Sequence, residues 1–319
     1  MKVNILMSTY NGERFLAQQL DSILEQSLKD WTLLIRDDDS SDRTPEIIAD
    51  YARRDPRVVF INPDQRENLG VIKNFYTLLK YQEADFYFFC DQDDVWLPEK
   101  LELCLKEGQN YPADKPLLVY TDLKVVNQDL EVQHTSMIRT QSDHANTSLL
   151  QELTENTVTG GVAMINGATA QNWQAQNLNQ IIMHDWFLAL VAAAKGNLVY
   201  IDQATELYRQ HDNNVLGART WSKRIKHWLR PHKLLAKYWW LIDASQKQAG
   251  LLLDLDLAQE QKELVEAYVG LLNQPWSQRR QTLKQYGFAK NQVFHTLVFK
   301  TLILTKIGYS HYQKHGYQA

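Results

Sequence analysis

Three carboxylates crowd into four consecutive positions of this chain, immediately after a run of aromatic residues. They belong to Asp91, Asp93 and Asp94, and residues 86–89 before them read Phe-Tyr-Phe-Phe. Carboxylates this close repel one another, and a divalent cation that prefers oxygen ligands, Mg²⁺ or Mn²⁺, offsets the repulsion. So short a motif alone is more often a solvated turn. The apolar run favours the alternative, a buried parallel strand whose carboxyl end opens into a binding site.

Four similar polar clusters occur in the first part of the chain. They lie at residues 8–12, 37–42, 68–74 and 91–94, each between a predicted strand and a predicted helix. Alternating strands and helices predict parallel β-α-β units whose strands end at one sheet edge, where ligands bind. Thr44 is predicted to cap the helix after the second cluster. The sequence contains no glycine-rich dinucleotide motif and no P-loop, which argues against those nucleotide sites.

The chain beyond the acidic motif carries further signals. A strand is predicted over Leu117–Val126, and the polar stretch 127–155 is predicted to be a loop. The pair Gly160-Gly161 lets the backbone approach another group closely before a strand. Residues 183–186, Met-His-Asp-Trp, open an apolar helix, and another strand is predicted over 198–201.

Composition bounds the class of protein. The chain has 319 residues, 44% of them hydrophobic, enough for one large domain or for a domain with an appendage. Its two cysteines, Cys90 and Cys104, give no disulfide framework and fit a reducing cytosol. We find no leader-like N-terminus and no apolar run as long as a membrane span, so we expect a soluble or peripheral protein.

Together these motifs resemble the family 2 glycosyltransferases with the GT-A fold, over about residues 1–215. The resemblance rests on Ser8-Thr9-Tyr10-Asn11-Gly12, Asp37-Asp38-Asp39-Ser40 and Asp91-Gln92-Asp93-Asp94. Three later motifs are similar to bacterial rhamnosyltransferases, of the kind that build streptococcal rhamnose polysaccharides: Thr159-Gly160-Gly161, His184-Asp185-Trp186 and Tyr208-Arg209-Gln210-His211. Asp39 departs from the pattern, since glycine is commoner there, although aspartate tolerates a left-handed backbone. The resemblance implies an α/β catalytic domain over residues 1–215, with a mixed, mostly parallel sheet and flanking helices.

The resemblance also implies a role for each motif. Asp93, with Asp91 or Asp94 beside it, is expected to hold the Mn²⁺ or Mg²⁺ that neutralises a departing diphosphate, and one of these carboxylates is suited to reach the ribose. His211 is expected to complete the metal shell or to donate to the diphosphate. Asp185 is expected to be the base that takes the proton of the acceptor hydroxyl. The residues expected at the nucleotide and donor are Thr9, Asn11, Asp38, Lys73, Asp91 and Arg209, and those at the acceptor are Thr159, Gly160, Gly161, His184 and Trp186.

Structural interpretations of the same residues stay open. Asp38 is suited to accept the N3–H of uracil or thymine, yet Asp37 or Asp38 is equally suited to cap the following helix. Asp185 is also suited, with the histidine before it, to cap the helix that begins at 184–186. Arg209 and His211 also fit an ordinary exposed strand end, because two residues carry little motif weight.

The function implied by the resemblance is transfer of L-rhamnose from dTDP-L-rhamnose, with inversion, to a polyprenyl-diphosphate-linked saccharide. A UDP-hexose or UDP-N-acetylhexosamine transferase is the close alternative, because thymine and uracil present the same N3–H. A protein that binds a sugar nucleotide or polysaccharide without catalysis is the alternative of another class. The intact acidic motif and Asp185 argue against it, since a binder needs no base.

Charge is distributed unevenly along the chain. Residues 1–212 contain 18 basic and 32 acidic residues, whereas residues 213–319 contain 16 and 6. We expect residues 216–319 to form a basic, tryptophan-rich helical region that contacts an anionic membrane surface or a second subunit of a homodimer. The acidic first half argues against nucleic acid as a partner. The expected location is the cytoplasm, at the inner face of the cell membrane.

One amphipathic helix is predicted within this basic region, ending at Pro231. Its apolar face comprises Trp221, Ile225, Trp228 and Leu229, and Lys223, Lys226 and Arg230 lie opposite. Tryptophan with lysine and arginine is typical of a membrane-surface helix, and packing against the catalytic domain is an equally good interpretation. Val293–Ile307 is apolar, but Lys300 and Lys306 interrupt it, so we do not expect it to span a bilayer.

Overall fold

The fold is taken from a computed structural model that describes residues 1–65, 67–141, 145–211 and 231–317. The chain divides into two units. The first comprises Met1–Gln141 and Val158–His211, and the second comprises Ser142–Thr157 and Asp212–Ala319. The boundary predicted at residue 215 and the amphipathic helix predicted over 221–230 both lie outside the described residues.

The first half of the first unit is built from parallel β-α-β units, as predicted. Its strands are β1 (Val3–Thr9), β2 (Thr32–Asp37), β3 (Val58–Phe60) and β4 (Phe86–Cys90), in the sheet order β3-β2-β1-β4. Its helices are α1 (Leu16–Leu24), α2 (Thr44–Arg54) and α3 (Val71–Tyr81). Thr9 pairs with Asp37, and Met7 with Cys90, so β1, β2 and β4 end at one edge of the sheet. That edge carries the acidic motif.

The second half of this unit extends the sheet with strands of both directions. Its elements are β5 (Val95–Trp96), α4 (Lys100–Gly108), β6 (Leu117–Val126), β7 (Val132–His134), α5 (Met137–Gln141), β8 (Ala163–Asn166), α7 (Gly167–Gln174), α8 (His184–Lys195) and β9 (Asn197–Arg209), with α6 (Leu149–Thr154) assigned to the second unit. The sheet order is β3-β2-β1-β4-β8-β6-β9-β5, with β7 paired to β6. β8 runs antiparallel to β4 and β6, whereas β9 runs parallel to β6. The predicted mixed α/β sheet with flanking helices is confirmed.

Burial explains why the aromatic run forms the central strand. Tyr87, Phe88 and Phe89 are all at most 2% exposed. Phe89 packs edge-on against Phe75 of α3, and Phe88 contacts Trp96 of β5. A strand covered on both faces needs an apolar side chain at every position.

One sequence-based expectation is wrong, and one predicted strand is longer than expected. The stretch 127–155 is not a plain loop, because it contains β7, α5 and α6. The side-chain oxygen of Asn127 accepts the N–H groups of Asp129 and Glu131 at 3.0 and 2.9 Å, and this turn starts the β6-β7 hairpin. The strand predicted over 198–201 continues to Arg209, because β9 follows β6 through two register shifts.

The second unit is helical, as predicted for the C-terminal region. Its helices are α6, α9 (Pro231–Gly250), α10 (Gln259–Val269), α11 (Trp276–Tyr286), α12 (Val293–Thr305) and α13 (Tyr309–His315). The described part of α9 starts at Pro231, and the helix predicted to end at this proline lies outside the described residues. α6 is tied to the segment before α12, since Lys290 Nζ donates to the carbonyl of Thr154 at 2.5 Å. Within the described ranges, no helix is long and apolar enough to cross a membrane.

Candidate active site

The acidic motif is fastened to the end of β1 by the side chain of Gln92. Its Nε2 donates to the carbonyl of Tyr10 at 2.8 Å, and its Oε1 accepts from the N–H of Tyr10 at 2.8 Å. A Cβ on Gly12 would displace the Gln92 amide from this position. Two of the predicted polar clusters are therefore bonded to each other at the sheet edge.

Arg209, at the end of β9, supports the same motif from a distant part of the chain. Its side chain is buried, and its backbone N–H donates to Oδ1 of Asp94 at 2.8 Å. Its guanidinium donates to the carbonyl of Asp93 at 2.7 Å, to the carbonyl of Gln128 at 2.5 Å and to Oε1 of Gln18 at 2.7 Å. The interpretation of Arg209 as part of an ordinary exposed strand end is therefore wrong. Its contact with the donor stays a prediction.

His211 reaches the motif through Asp93. Its Nε2 lies 2.7 Å from Oδ2 of Asp93, and both side chains are partly buried. The imidazole also packs against the ring of Phe15, with 5.0 Å between ring centroids. Two of the three predicted metal ligands are thus brought into contact.

Burial and mutual repulsion raise the pKa of two carboxyl groups in the motif. The pKa of Asp91 rises to about 7, first through burial and then through the carboxylates of Asp93, Glu206 and Asp185. The pKa of Asp94 lies well above its usual range, through burial and then through Glu206. Oδ2 of Asp94 accepts no hydrogen bond from any described residue. The site therefore concentrates negative charge that its own cations offset only in part.

The donor atoms at this point fit a divalent cation shared with a ligand. In the part of the chain that the structure describes, no group of three or more His, Cys, Asp or Glu side chains is spaced to hold a metal unaided. Asp93 and His211 nevertheless present a carboxylate oxygen and an imidazole nitrogen together. Magnesium sites commonly combine one or two carboxylates with the phosphates of a substrate. A cation there would also relieve the repulsion around Asp91 and Asp94.

The loop after β2 is organised by Asp37, which is fully buried. Its carboxylate accepts from the N–H of Ser40 at 2.8 Å, from the hydroxyl of Ser40 at 2.6 Å and from the hydroxyl of Thr9 at 3.1 Å. Asp37 therefore closes the turn of the second polar cluster. Thr9, predicted at the nucleotide, joins the ends of β1 and β2 through the same bond.

Asp38 joins the same loop to the segment before α3. Its carboxylate pairs with the guanidinium of Arg36 at 2.9 Å and accepts from the N–H groups of Leu69 and Gly70 at 2.7 and 2.9 Å. An ionised carboxylate offers about four acceptor sites, so a contact with the N3–H of a base is compatible with these three bonds. That role stays a prediction, as does the role of Lys73, which is exposed near the start of α3.

Two residues of these loops adopt a left-handed backbone without being glycine. Asn11 has φ of 48° and Asp39 has φ of 68°. The side-chain oxygen of Asn11 accepts from the N–H of Ser41 at 2.9 Å, which bridges the first and second polar clusters. Asp39 is exposed, and its φ gives the physical reason why glycine is common at this position.

Thr44 does not cap α2, contrary to the prediction. Its hydroxyl accepts from the N–H of Gly12 at 2.8 Å, so it is used to hold the end of β1. Oδ1 of Asp42 accepts from the N–H of Thr44 at 3.0 Å and satisfies the first turn in its place. The sequence interpretation therefore assigned to Thr44 a role that Asp42 fills.

The pair Gly160-Gly161 lies between the acidic motif and the start of α8. A Cβ on Gly160 would lie 3.3 Å from Nε2 of His184. A Cβ on Gly161 would lie 2.8 Å from Oε1 of Glu206 and 3.3 Å from Oδ2 of Asp91. The close approach expected of this pair is observed. The predicted acceptor residues, with Thr159 directly before the pair, therefore adjoin the acidic motif.

His184 is buried among the rings of Phe75, Phe89 and Trp173. Burial lowers the pKa of its imidazole, against a smaller opposing effect of the Asp185 carboxylate. Its Nε2 has no hydrogen-bond partner among the described residues. At neutral pH this position therefore holds an uncharged imidazole beside the Gly160 turn.

Asp185 stands in the first turn of α8. Its Oδ1 accepts from the N–H of Trp186 at 2.7 Å, but the N-cap residue of α8 is Met183, which makes no side-chain cap, so the predicted cap by His184 and Asp185 is wrong. The side chains of Asp185 and Trp186 are both largely buried. A carboxylate that bonds one helix N–H retains lone pairs for a proton, so this contact is compatible with the predicted role as base.

Two residues of the site were missed by the sequence interpretation, Lys100 and Glu206. Both are fully buried, and Nζ of Lys100 lies 2.5 Å from Oε2 of Glu206. Glu206 lies in a strand that also carries Asp202 and Arg209, so its sequence context did not mark it as a buried charge that needs a partner. Its partner lies 106 positions away in the sequence, and no local pattern identifies it.

Comparison with protein sequences places this site in context. Residues 4–118 match the family model described as glycosyl transferase family 2. The dTDP-rhamnosyl transferase RfbG of Shigella flexneri is 30% identical over 223 residues, covering 66% of this chain and 74% of that protein. The UDP-Glc:alpha-D-GlcNAc-diphosphoundecaprenol beta-1,3-glucosyltransferase WfgD of Escherichia coli is 35% identical over 101 residues, covering 32% and 38%.

Solved structures resemble the fold over nearly the whole chain. Residues 1–349 of S. aureus TarS, in complex with UDP-GlcNAc, match with a TM-score of 0.58 at 15% identity, covering 98% of this chain and 87% of that one. The mannosyltransferase PcManGT from Pyrobaculum calidifontis, in complex with GDP-Man and Mn²⁺, matches with a TM-score of 0.55 at 14% identity, covering 99% and 81%. At these identities the likeness shows the fold alone.

Proposed function

Because the chain belongs to glycosyl transferase family 2, we propose that it transfers L-rhamnose from dTDP-L-rhamnose to a hydroxyl of a polyprenyl-diphosphate-linked saccharide, in the synthesis of a cell-surface polysaccharide. The observation that carries the donor is the 30% identity to a dTDP-rhamnosyl transferase over 223 residues. A diphosphoundecaprenol-linked acceptor in the name of a second relative supports the acceptor class.

On the donor side, the loops that follow β1 and β2 hold the nucleotide, with Thr9, Asn11 and Asp38 in the pocket. Lys73 and Arg209 add positive charge toward the diphosphate. Asp93 and His211, with Asp91 beside them, would hold Mn²⁺ or Mg²⁺. When bound, this ion neutralises charge on the departing nucleoside diphosphate. The contact of 2.7 Å between Asp93 and His211 and the charge crowding at Asp91 support this assignment.

On the acceptor side, Asp185 takes the proton of the attacking hydroxyl. The acceptor oxygen forms a bond to the anomeric carbon as the bond to the diphosphate oxygen breaks, and the electron pair leaves with the diphosphate. A single displacement of this kind inverts the anomeric centre. The turn at Thr159, Gly160 and Gly161 positions the acceptor beside the base, with His184 behind it and Trp186 at the same helix start.

We also propose that the second unit attaches the enzyme to the inner face of the cell membrane. α12 buries Phe299, Leu302 and Ile303, yet its opposite side exposes Val293, Phe294 and Leu297 by 78%, 59% and 61%. No acidic residue occurs between 267 and 319, while seven basic residues do. An exposed apolar face in a basic region suits an anionic bilayer, where a lipid-linked acceptor resides.

The experiment that tests the donor is calorimetric titration with dTDP, UDP and GDP, each with and without Mn²⁺. Binding of dTDP that collapses on chelation supports the rhamnosyl donor and the cation together. Turnover of dTDP-rhamnose on a lipid-linked saccharide, measured beside UDP-glucose and UDP-N-acetylglucosamine, then identifies the sugar. A preference for UDP removes rhamnose from the proposal, and the named glucosyltransferase relative makes that the second candidate.

A protein that binds nucleotide without turnover would give a different result in the same experiments. It would bind one of the three nucleotides yet transfer no sugar. It would also be indifferent to Asp185→Asn, because binding requires no base. Unchanged polymer synthesis by Asp93→Asn and Asp185→Asn proteins would therefore refute the proposed chemistry.

A further inference from the structure

A buried ion pair lies directly behind the turn that faces the acceptor. Lys100, the first residue of α4, and Glu206, in β9, are both fully buried, with 2.5 Å between Nζ and Oε2. The ammonium also stands over the ring of Trp96, 3.9 Å from its centroid. No predicted function uses either residue.

Lys100 binds the turn itself as well as the glutamate. Its Nζ donates to the carbonyl of Gly161 at 2.5 Å. On its other side, Gly161 faces Oε1 of Glu206 and Oδ2 of Asp91, at 2.8 and 3.3 Å from the position of a Cβ. The glycine is therefore held by the ammonium through its carbonyl and confined by two carboxylates at its α-carbon.

Stability alone does not account for this arrangement. Replacing a buried ion pair by apolar residues of similar volume is often neutral or stabilising, so such pairs are weak contributors to folding. An ammonium has three donors, and here two of them join elements far apart in sequence, the Gly161 turn and β9. The contacts of Lys100 with Gly161 and Glu206 fix the position of the Gly161 turn relative to the acidic motif.

We propose that Lys100 is a positioning residue for the acceptor: together with Glu206 it holds the Thr159–Gly161 turn against Asp91, and so sets the acceptor hydroxyl relative to the donor. The proposal rests on the proposed function, because it takes this turn as part of the acceptor site. Lys100 is fully buried, so it acts through the turn. Displacing a reacting group by about 1 Å costs up to about 100-fold in rate.

The test compares Lys100→Met with the double variant Lys100→Met/Glu206→Gln. Lys100→Met leaves a buried carboxylate without its cation and is expected to lower the melting temperature. The double variant removes both charges and is expected to recover most of that loss. Both lack the bond to Gly161, so transfer to the acceptor falls about 10–100-fold in both, whereas the dissociation constant for the nucleotide stays within about twofold of wild type.

A second readout separates positioning from folding. Loss of the acceptor geometry with an intact donor site raises the ratio of donor hydrolysis to transfer. Faster amide hydrogen exchange at residues 159–162, with unchanged exchange in β1, is expected in the double variant. The exposed pair Arg139 and Asp202, 2.5 Å apart, supplies the control, and Arg139→Met/Asp202→Asn is expected to behave as wild type.

The outcomes distinguish this inference from the proposed function. A double variant that is as stable and as active as wild type, with unchanged exchange at 159–162, overturns the positioning role. A wild-type preference for a UDP-sugar removes rhamnose, yet the same comparison run with that donor still decides the role of Lys100. The exchange measurement decides it without any turnover.

Discussion

Nε2 of His211 lies 2.7 Å from Oδ2 of Asp93, although 118 positions separate the two residues in the sequence. The contact joins the end of β4 to the chain that follows β9. Because an imidazole nitrogen and a carboxylate oxygen that meet in this way can share one cation, the pair is the strongest structural support for a metal at the site.

A double-mutant cycle on these two residues tests that cation. Asp93→Asn and His211→Asn are each expected to weaken Mn²⁺ binding to the nucleotide complex by at least about tenfold, as loss of a metal contact does. If both hold one ion, the double variant loses much less than the product of the two single effects. Calorimetric titration of Mn²⁺ into the protein with saturating nucleotide measures this. Strictly multiplicative effects would indicate that the two residues act separately.

Asp185→Asn tests the base. The substitution keeps the side-chain oxygen that accepts from the N–H of Trp186, so the helix start should be retained. A positioned base contributes about 10²–10⁴-fold, and transfer is expected to fall by that factor while nucleotide affinity is unchanged. Steady-state transfer rates beside calorimetric nucleotide binding separate the two effects. A decrease below about tenfold would assign the base to another residue.

Gly161→Ala tests the crowding of the acceptor turn. The new Cβ would lie 2.8 Å from Oε1 of Glu206, too close for an unstrained contact. Overpacking of this kind costs about 1–3 kcal/mol, and transfer is expected to fall with stability. Gly250→Ala is the matched control, because nothing lies within 4 Å of its Cβ position. That change is expected to raise stability by up to about 1 kcal/mol, and melting temperatures of both variants decide the comparison.

The stability of the protein is expected to fall in mildly acidic solution because of His184. Burial holds the pKa of this imidazole below its ordinary value of 6.5 in the folded protein. The unfolded chain therefore binds the proton more tightly. The contribution is complete above pH 6.5 and is lost as the pH falls from there toward the folded pKa, at no more than about 1.4 kcal/mol per pH unit.

Urea unfolding at pH 7.5 and 5.5 measures this effect, with His184→Gln as the comparison. The free energy of unfolding should fall more steeply with acidity for the wild type than for the variant. The difference between the two slopes isolates His184, since every other titrating group is common to both proteins. Equal slopes would mean that the imidazole protonates as easily in the folded protein as in the unfolded one.

The exposed face of α12 is expected to carry membrane attachment. Burying a valine or leucine side chain is worth about 1.5–3 kcal/mol, so Val293→Ser/Leu297→Ser should reduce partitioning onto anionic vesicles by at least about tenfold. Val132→Ser is the control, since Val132 is 50% exposed in the first unit. Co-sedimentation with vesicles of phosphatidylglycerol and phosphatidylcholine measures the partitioning. Unchanged co-sedimentation, with dimer dissociation in gel filtration instead, would assign this face to a second copy of the chain.

The sheet edge could be predicted from sequence because its signals are local. Phe86–Phe89 followed by Asp91 is a pattern of burial and charge within nine residues, and the buried strand with its acidic end is what the structure contains. The same local reasoning located the close approach at Gly160-Gly161. Strand periodicity and turn chemistry act over a few residues, so a single sequence retains them.

The contacts between distant residues could not be predicted in this way. The pairing of Lys100 with Glu206 spans 106 positions, and that of Arg209 with Asp94 spans 115. Thr44 was likewise assigned to the wrong partner. Its hydroxyl accepts from the N–H of Gly12, 32 positions away, instead of capping its own helix. Each side chain has several satisfactory partners, and only the tertiary fold selects one.

The span between Asp94 and Arg209 also matters while the chain is being made. At about 5–20 residues per second, the 115 positions between them take roughly 6–23 s to synthesise. Throughout that interval the nascent chain carries its acidic strand end without the arginine that supports it or the histidine that meets Asp93. The contacts that Arg209 makes with Asp94 and that His211 makes with Asp93 can therefore form only after β9 has emerged.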